Sequence, residues 1–309
     1  MKAKLAFLSY LIVIMALAIV INHDKPVQVS ALQRQQSEGH VDLKVEQSIT
    51  EKFLNTKTED NGLSWTDYHT IAHALGSIEN KRATNSLEAM AVNYEVNNMR
   101  IFETDLILTS DRKLVARHDW LAYLYKLLGE YSLKGKKSVP LTYNEFIHLK
   151  PHNKFEPMDF EMLANILKNH KDIYVITDTK LTKPEDIKEQ FNIIVDTATK
   201  VDPKILDRLI IQVYNEAMYK EVTSIYPFKN IIYAVYMNND SEDKVTQFSQ
   251  KNHIQVVAIP TNRVTPQFVA KLAKYNIKTI VHSVNTEEDQ TVYKAMGAWA
   301  VYSDYLIGL

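Results

Sequence analysis

Two histidines and two carboxylates stand at the ends of short strand-like runs: Ile71-Ala72-His73-Ala74-Leu75-Gly76, Phe102-Glu103-Thr104-Asp105 and Val115-Ala116-Arg117-His118-Asp119. A third acid and a lysine follow in Ile176-Thr177-Asp178-Thr179-Lys180. Side chains alternate along a strand, so Glu103 and Asp105 point to one side, as do Asp178 and Lys180. Three carboxylates converging on a point repel unless a cation sits among them, and an all-oxygen set suits a hard ion, Mg²⁺ or Ca²⁺. Such an ion can hold a non-bridging phosphate oxygen while one histidine deprotonates the attacking oxygen and the other protonates the leaving alkoxide. Lys180 adds a positive charge beside the phosphate. That chemistry is metal-dependent cleavage of a phosphodiester.

Each fragment alone has a plainer reading. Glu-x-Asp is common on solvated strands, His-Asp ends many loops, and Asp-x-Lys is usually a surface ion pair of little worth. Their order and common placement at strand ends carry the joint reading. His148, His152, His170 and His253 fall in helical or loop stretches without evident partners and read as surface residues.

The elements that must position these residues occupy most of the 309-residue chain, whose 46% hydrophobic content can fill a core. A formal net charge of −1 excludes the basic excess of a nucleic-acid-coating protein. With no cysteine, no disulfide framework, thiolate metal site or thiol nucleophile can exist. Glycine is scarce, at seven residues, and no glycine-rich phosphate loop is present. Lys2 and Lys4 precede an uncharged apolar run at residues 5–21, and Val29-Ser30-Ala31 resembles a cleavage site. Residues 1–31 therefore read as a signal peptide or signal anchor, which places the body outside the cytoplasm, membrane-anchored or secreted. Residues 32–64 are polar and read as a linker, with a short helix near 45–54.

From residue 65 strands and helices alternate. Strands are expected at 68–73, 100–106, 173–179, 209–214, 231–235, 255–259, 279–284 and 299–302, with helices between them. The helix at 86–96 has Thr84 or Asn85 as its expected cap. A tight turn at Thr109-Ser110-Asp111-Arg112 sends 113–118 back as an accessory antiparallel arm. Eight strand–helix units over residues 65–309 predict an α/β fold, a (β/α)8 TIM barrel with a hairpin and a helical insertion (residues 119–157) after the second strand. In such a barrel function gathers at the C-terminal strand ends, where His73, Glu103, Asp105, Asp178 and Lys180 fall and to which the hairpin returns His118.

Residues 68–309 resemble the glycerophosphodiester phosphodiesterase family, within the wider group of barrel phosphodiesterases that includes phosphatidylinositol-specific phospholipases C. The family's His-Arg-Gly is His73-Ala74-Leu75-Gly76, its Glu-Asn-Thr is Thr84-Asn85-Ser86, and its Glu-x-Asp is Glu103-Thr104-Asp105. Its His-Asp hairpin end is His118-Asp119 and its Glu-x-Lys strand Asp178-Thr179-Lys180; the last motifs are His282-Ser283-Val284-Asn285 and Ser303-Asp304-Tyr305. The resemblance implies His73 and His118 as the acid/base pair. It implies Glu103, Asp105 and Asp178 as ligands of one divalent cation, and Lys180 and Asn85 as substrate-binding residues. Three positions depart from the pattern: Ala74 replaces the family arginine, Asp178 replaces a glutamate, and His282 replaces an aromatic residue. Arg117 points away from the side of His118, leaving Arg82 in the first loop as a candidate substitute. Related phospholipase-type barrels also lack that arginine and can release a cyclic phosphate.

The substrate expected is a glycerophosphodiester, a phospholipid headgroup or a cell-wall (teichoic-type) polyol phosphate, with membrane contact at the N-terminus and no nucleic-acid partner. The competing reading is an envelope binding protein on the same barrel that has lost turnover with its arginine. A sugar-cleaving barrel using Glu103 and Asp178 would leave His73, His118 and Lys180 without a task. Tyr123, Tyr125 and Tyr131 in the insertion either pack it on the barrel or form an interfacial lip.

Overall fold

The structure is a computed structural model that describes residues 43–133 and 138–308. The expected signal segment, residues 1–31, and the first part of the expected linker lie outside the described residues. No helix among those described is long and apolar enough to cross a membrane.

Nine strands form one sheet: β1 (Thr70–Ala72), β2 (Ile101–Leu108), β3 (Leu114–Ala116), β4 (Tyr174–Thr179), β5 (Leu209–Val213), β6 (Asn230–Ala234), β7 (Val256–Pro260), β8 (Lys278–His282) and β9 (Ala300–Ser303). Their order is β1-β9-β8-β7-β6-β5-β4-β2-β3, and Ala72 of β1 also pairs in parallel with Phe102 of β2. Eight parallel strands thus close into the expected barrel, and β3 hangs antiparallel on β2 with Leu106 opposite Ala116. Runs such as Leu209-Ile210-Ile211 and Val256-Val257-Ala258-Ile259 are wholly buried, because a barrel strand is covered on both faces.

The helices are α1 (Leu43–Asn55), α2 (Leu87–Glu95), α3 (Ala122–Leu127), α4 (Tyr143–Ile147), α5 (Phe160–Asn169), α6 (Pro184–Val201), α7 (Glu216–Ile225), α8 (Glu242–Lys251), α9 (Pro266–Ala273) and α10 (Glu287–Ala295). Side-chain caps set where most of the outer helices begin. Asp159, Asn215, Ser241, Thr265 and Thr286 each accept a hydrogen bond from the third residue on. At α2 the cap is Ser86, accepting from the Ala89 amide, and neither Thr84 nor Asn85. A cap needs extended backbone, which Ser86 has (φ −104°, ψ 158°), whereas Asn85 sits at φ 47°.

One expectation is met and one is corrected. The short helix expected near 45–54 is present as α1 and packs on the barrel, while residues 59–64 of the same stretch are exposed. Phe53 of α1 is fully buried, stacked on His170 with ring centroids 4.3 Å apart and 5.3 Å from Tyr94. His170 is accordingly no surface residue: Nε2 donates to the Phe53 carbonyl at 2.8 Å, and burial pushes its pKa down. His152 is half-buried, while His148 and His253 are exposed.

The insertion carries its own small core of Trp120, Tyr125, Leu133, Leu141 and Phe146, packed on Ile107 and Val115 of the hairpin. Arg117 ties it down. Its guanidinium donates to Glu130 at 2.9 and 2.8 Å and lies 5.0 Å from the Trp120 ring, with both charged groups buried. Arg117 therefore points away from the barrel mouth, as strand alternation requires.

Candidate active site

Strand register brings the acids together. Asp105 and Asp178 are direct partners on the neighbouring parallel strands β2 and β4, and Glu103 lies two residues before Asp105 on the same face. One oxygen from each of Glu103, Asp105 and Asp178 lies within 4.8 Å of the others, and all three residues are buried. Lys180 Nζ is 2.7 Å from Asp105 Oδ1 and 2.6 Å from Asp178 Oδ2.

The electrostatics are those of a crowded acidic site. Burial and the Asp105 charge hold the Glu103 carboxyl well above the usual carboxylate range. Burial also acts on Asp105, but the charges of Lys180, His118 and His73 outweigh it and hold that carboxyl low. Glu103 Oε2 accepts from the Ala74 amide at 2.7 Å, while buried Oε1 has no hydrogen-bond partner. Three hard oxygen donors with one buried carboxylate oxygen left over fit a hard divalent cation.

The histidines are built alike. His73 Nδ1 donates to Asp304 Oδ1 at 2.8 Å, and His118 Nδ1 to Asp119 Oδ2 at 2.7 Å. A carboxylate can only accept, so each Nδ1 keeps its hydrogen and Nε2 is the nitrogen left available for proton exchange. Burial opposes the charged form of His73, yet the Asp304 hydrogen bond and the Glu103 charge prevail and raise its pKa to about 9. Asp304 is fixed in turn by Asn285, whose Nδ2 donates to Oδ2 at 2.9 Å and whose Oδ1 accepts from the Asp304 amide at 2.9 Å.

His73, His118, Glu103, Asp178 and Lys180 line one cavity of about 150 Å³, whose remaining wall is Gln212, Tyr236, His282 and Tyr302. Tyr236 donates to Asp178 Oδ2 at 3.1 Å, and Tyr302 to Gln212 Oε1 at 3.0 Å. His282 stands edge-on to both tyrosine rings with Nε2 buried and unpartnered. Burial and the charges of His73 and Lys180 lower its pKa to about 4, so it is neutral. A larger groove of 380 Å³ at the opposite end of the barrel, beside Trp65, Lys229 and His253, holds no acidic cluster.

Six of the seven residues expected at the site are thus brought to one place, Asp105 lying just beneath the cavity wall. Asn85 is the exception. It is buried against the end of β2, where Nδ2 donates to Asp105 Oδ2 at 2.8 Å and Oδ1 accepts from the Asp105 amide at 3.1 Å. It orients a carboxylate and does not face the cavity. Arg82 is exposed; burial pushes the Asp304 carboxyl up, but His73, the Asn285 hydrogen bond and, least of these, the Arg82 charge outweigh it and hold it low. The roles of Asp119, Asp304, Tyr236, Gln212 and Tyr302 were not foreseen. The motifs around the first two were visible, but nothing local links Asp304 to a histidine 231 positions away.

Fold and site together define a barrel phosphodiesterase, with acids and histidines at the C-terminal ends of the strands. Residues 76–307 match the model of the glycerophosphoryl diester phosphodiesterase family. The chain belongs to that family and is a phosphoric diester hydrolase. No curated protein sequence matches it. Among solved structures, it is similar to a glycerophosphodiester phosphodiesterase from Parabacteroides distasonis (19% identity, TM-score 0.61, covering 76% of this chain and 92% of that one). A phosphodiesterase from Oleispira antarctica, in complex with the product sn-glycerol-3-phosphate, gives 16% identity and a TM-score of 0.59 over 77% and 93%. The enzyme from Thermotoga maritima gives 17% and 0.54 over 76% and 94%. At these identities the likeness speaks for the fold.

Proposed function

We propose that this chain is an extracytoplasmic, metal-dependent phosphodiesterase that cleaves a glycerophosphodiester, a phospholipid headgroup or a polyol phosphate. The observation that carries the reading is the buried convergence of Glu103, Asp105 and Asp178, with the orphaned Glu103 Oε1, beside two histidines that share one cavity. Those three acids would hold Mg²⁺ or Ca²⁺, which when bound polarises a phosphoryl oxygen and offsets charge in the transition state. His73 and His118 exchange protons at Nε2, one taking a proton from the attacking oxygen and the other giving one to the leaving alkoxide. Asp304 and Asp119 keep the two rings in the tautomer this requires. Lys180 supplies the fixed positive charge nearest the phosphate in a chain whose first histidine is followed by Ala74.

The full chain, stripped of metal and then supplied with Mg²⁺ or Ca²⁺, should hydrolyse a glycerophosphodiester. His73→Ala and Glu103→Ala should each abolish turnover, and unchanged turnover in either would sink the mechanism. The same assay disposes of the turnover-less binding protein, which would be inactive with every cation. The apolar run at residues 5–21 supports export with the lysines retained inside.

A further inference from the structure

We infer that the rim of the catalytic mouth is a surface that lies against a phospholipid bilayer. Half of the twelve exposed large apolar side chains among the described residues gather on that rim: Leu121, Tyr123, Leu127, Tyr131 and Val139 of the insertion and Met237 after β6, next to Tyr236 of the cavity wall; Tyr305 follows β9. Leu54, Leu63, Tyr275 and Val292 are spread singly over the far end and flank. Helix α3 shows the contrast within one element. It turns Leu124 and Tyr125 inward and presents Tyr123, Lys126 and Leu127 to solvent, whereas α10 presents Glu287, Glu288, Asp289 and Lys294. An outward face made of leucine, tyrosine and a lysine that can snorkel is the pattern of an interfacial segment.

The point at which the chain enters the fold selects the occupant. Glu46 in the first turns of α1 meets Lys154 at 2.7 Å, and Lys154 meets Glu79 at 2.7 Å, in the loop leaving the C-terminal end of β1. The other end of α1 packs through Phe53 on Tyr94 and His170, at the far end of the barrel. The residues before Leu43 therefore depart from the mouth side, and they include the seventeen-residue uncharged run 5–21. The residues between run and fold, 22–42, can span about 70 Å at most. A chain held in a bilayer by that run hangs mouth first, with the apolar lip towards the lipid. The lip also borders catalysis directly: the Tyr123 hydroxyl bonds Asp119 and lies 3.2 Å from His118 Nδ1. Substrate would then be drawn from the membrane surface, a claim that deepens the phosphodiesterase reading and rests on it only for its activity arm.

The chain has no native cysteine, so a single Tyr131→Cys carries a polarity-sensitive dye without competition, and Tyr275→Cys is the far-end control. On full chain bound to vesicles of phosphatidylcholine and phosphatidylglycerol, the dye at 131 should shift to the blue and be quenched by brominated lipid, and the dye at 275 should do neither. A dye at 131 that keeps its buffer spectrum while the protein floats with the vesicles overturns the inference. So does a shift that needs no vesicles and grows with protein concentration, which would mean that copies of the chain cover the lip. In the activity arm, Leu127→Ser combined with Tyr131→Ser should slow turnover of a vesicle-borne glycerophospholipid about 100-fold, about tenfold for each interfacial side chain, and spare a soluble glycerophosphodiester. Equal loss on both substrates, or none on either, removes the functional claim. Should the wild type hydrolyse neither, the catalytic reading fails while the dye still decides the rim.

Discussion

Asp304 Oδ1 lies 2.8 Å from His73 Nδ1, joining the last barrel strand to the first across the seam where the barrel closes. The contact does two things: it fixes the tautomer of His73, and it stabilises the imidazolium. Asp304→Asn should therefore lower kcat by about 100-fold, within the usual contribution of an acid/base group, with a smaller change in KM. The charge that raises His73 to about 9 is partly removed, so the limb of the pH–rate profile that reports this histidine should move to lower pH. A pH profile with the same limbs as wild type would mean that Asp304 only holds the loop.

The acidic cluster makes metal-free stability depend on pH. Folded, Glu103 keeps its proton above the pH at which an unfolded carboxyl loses it, and His73 keeps its proton to about pH 9. Both hold more protons folded than unfolded. Their contributions are thus complete below the unfolded values and are lost as pH rises. The metal-free unfolding midpoint should fall by about 5 °C or more between about pH 6 and pH 9. Glu103→Gln should flatten that slope, and a divalent cation should restore more stability at the alkaline end, because its binding expels the Glu103 proton. Calorimetric unfolding with and without chelator measures both, and equal slopes in wild type and variant would refute the assignment.

Much of this was readable because barrels are built from local signals. Buried strands of Val and Ile, capped helices between them, and acids at alternate positions are all written within ten-residue windows, and the barrel and six site residues follow from them. The misses are of another kind. His170 reads as a surface residue because its partner, Phe53, is 117 positions away, on a helix whose presence is legible near 45–54 but whose polar surroundings hide that it packs on the barrel. The motif around Asn85 places it near the site, but its φ of 47° and its two bonds to Asp105 are not written in the motif, because no motif records a backbone angle.

His282, where the family pattern has an aromatic residue, puts an unpartnered neutral ring nitrogen in the cavity between Tyr236 and Tyr302. A polar atom there is useful if the departing group carries a hydroxyl. His282→Phe should raise KM for a glycerol-bearing phosphodiester about tenfold, the worth of one hydrogen bond, with much less effect on kcat. Steady-state kinetics separate the two constants, and an unchanged KM would assign His282 to wall packing alone.

Phe53 provides the test of where the folded unit begins. Its ring is fully buried between Tyr94 and His170, so Phe53→Ala removes an aromatic from a site that two rigid rings keep from collapsing. The loss should be about 3–5 kcal/mol, which lowers the unfolding midpoint by about 10 °C. Removal of the ring also leaves the His170 ring without its stacking partner while Nε2 keeps its bond to the main-chain carbonyl of residue 53, so the helix should stay seated and the active site intact. A spacer would behave otherwise. If the midpoint of Phe53→Ala matched wild type, residues 43–55 would not belong to the cooperative unit, and the path of the chain from the catalytic rim would lose its footing.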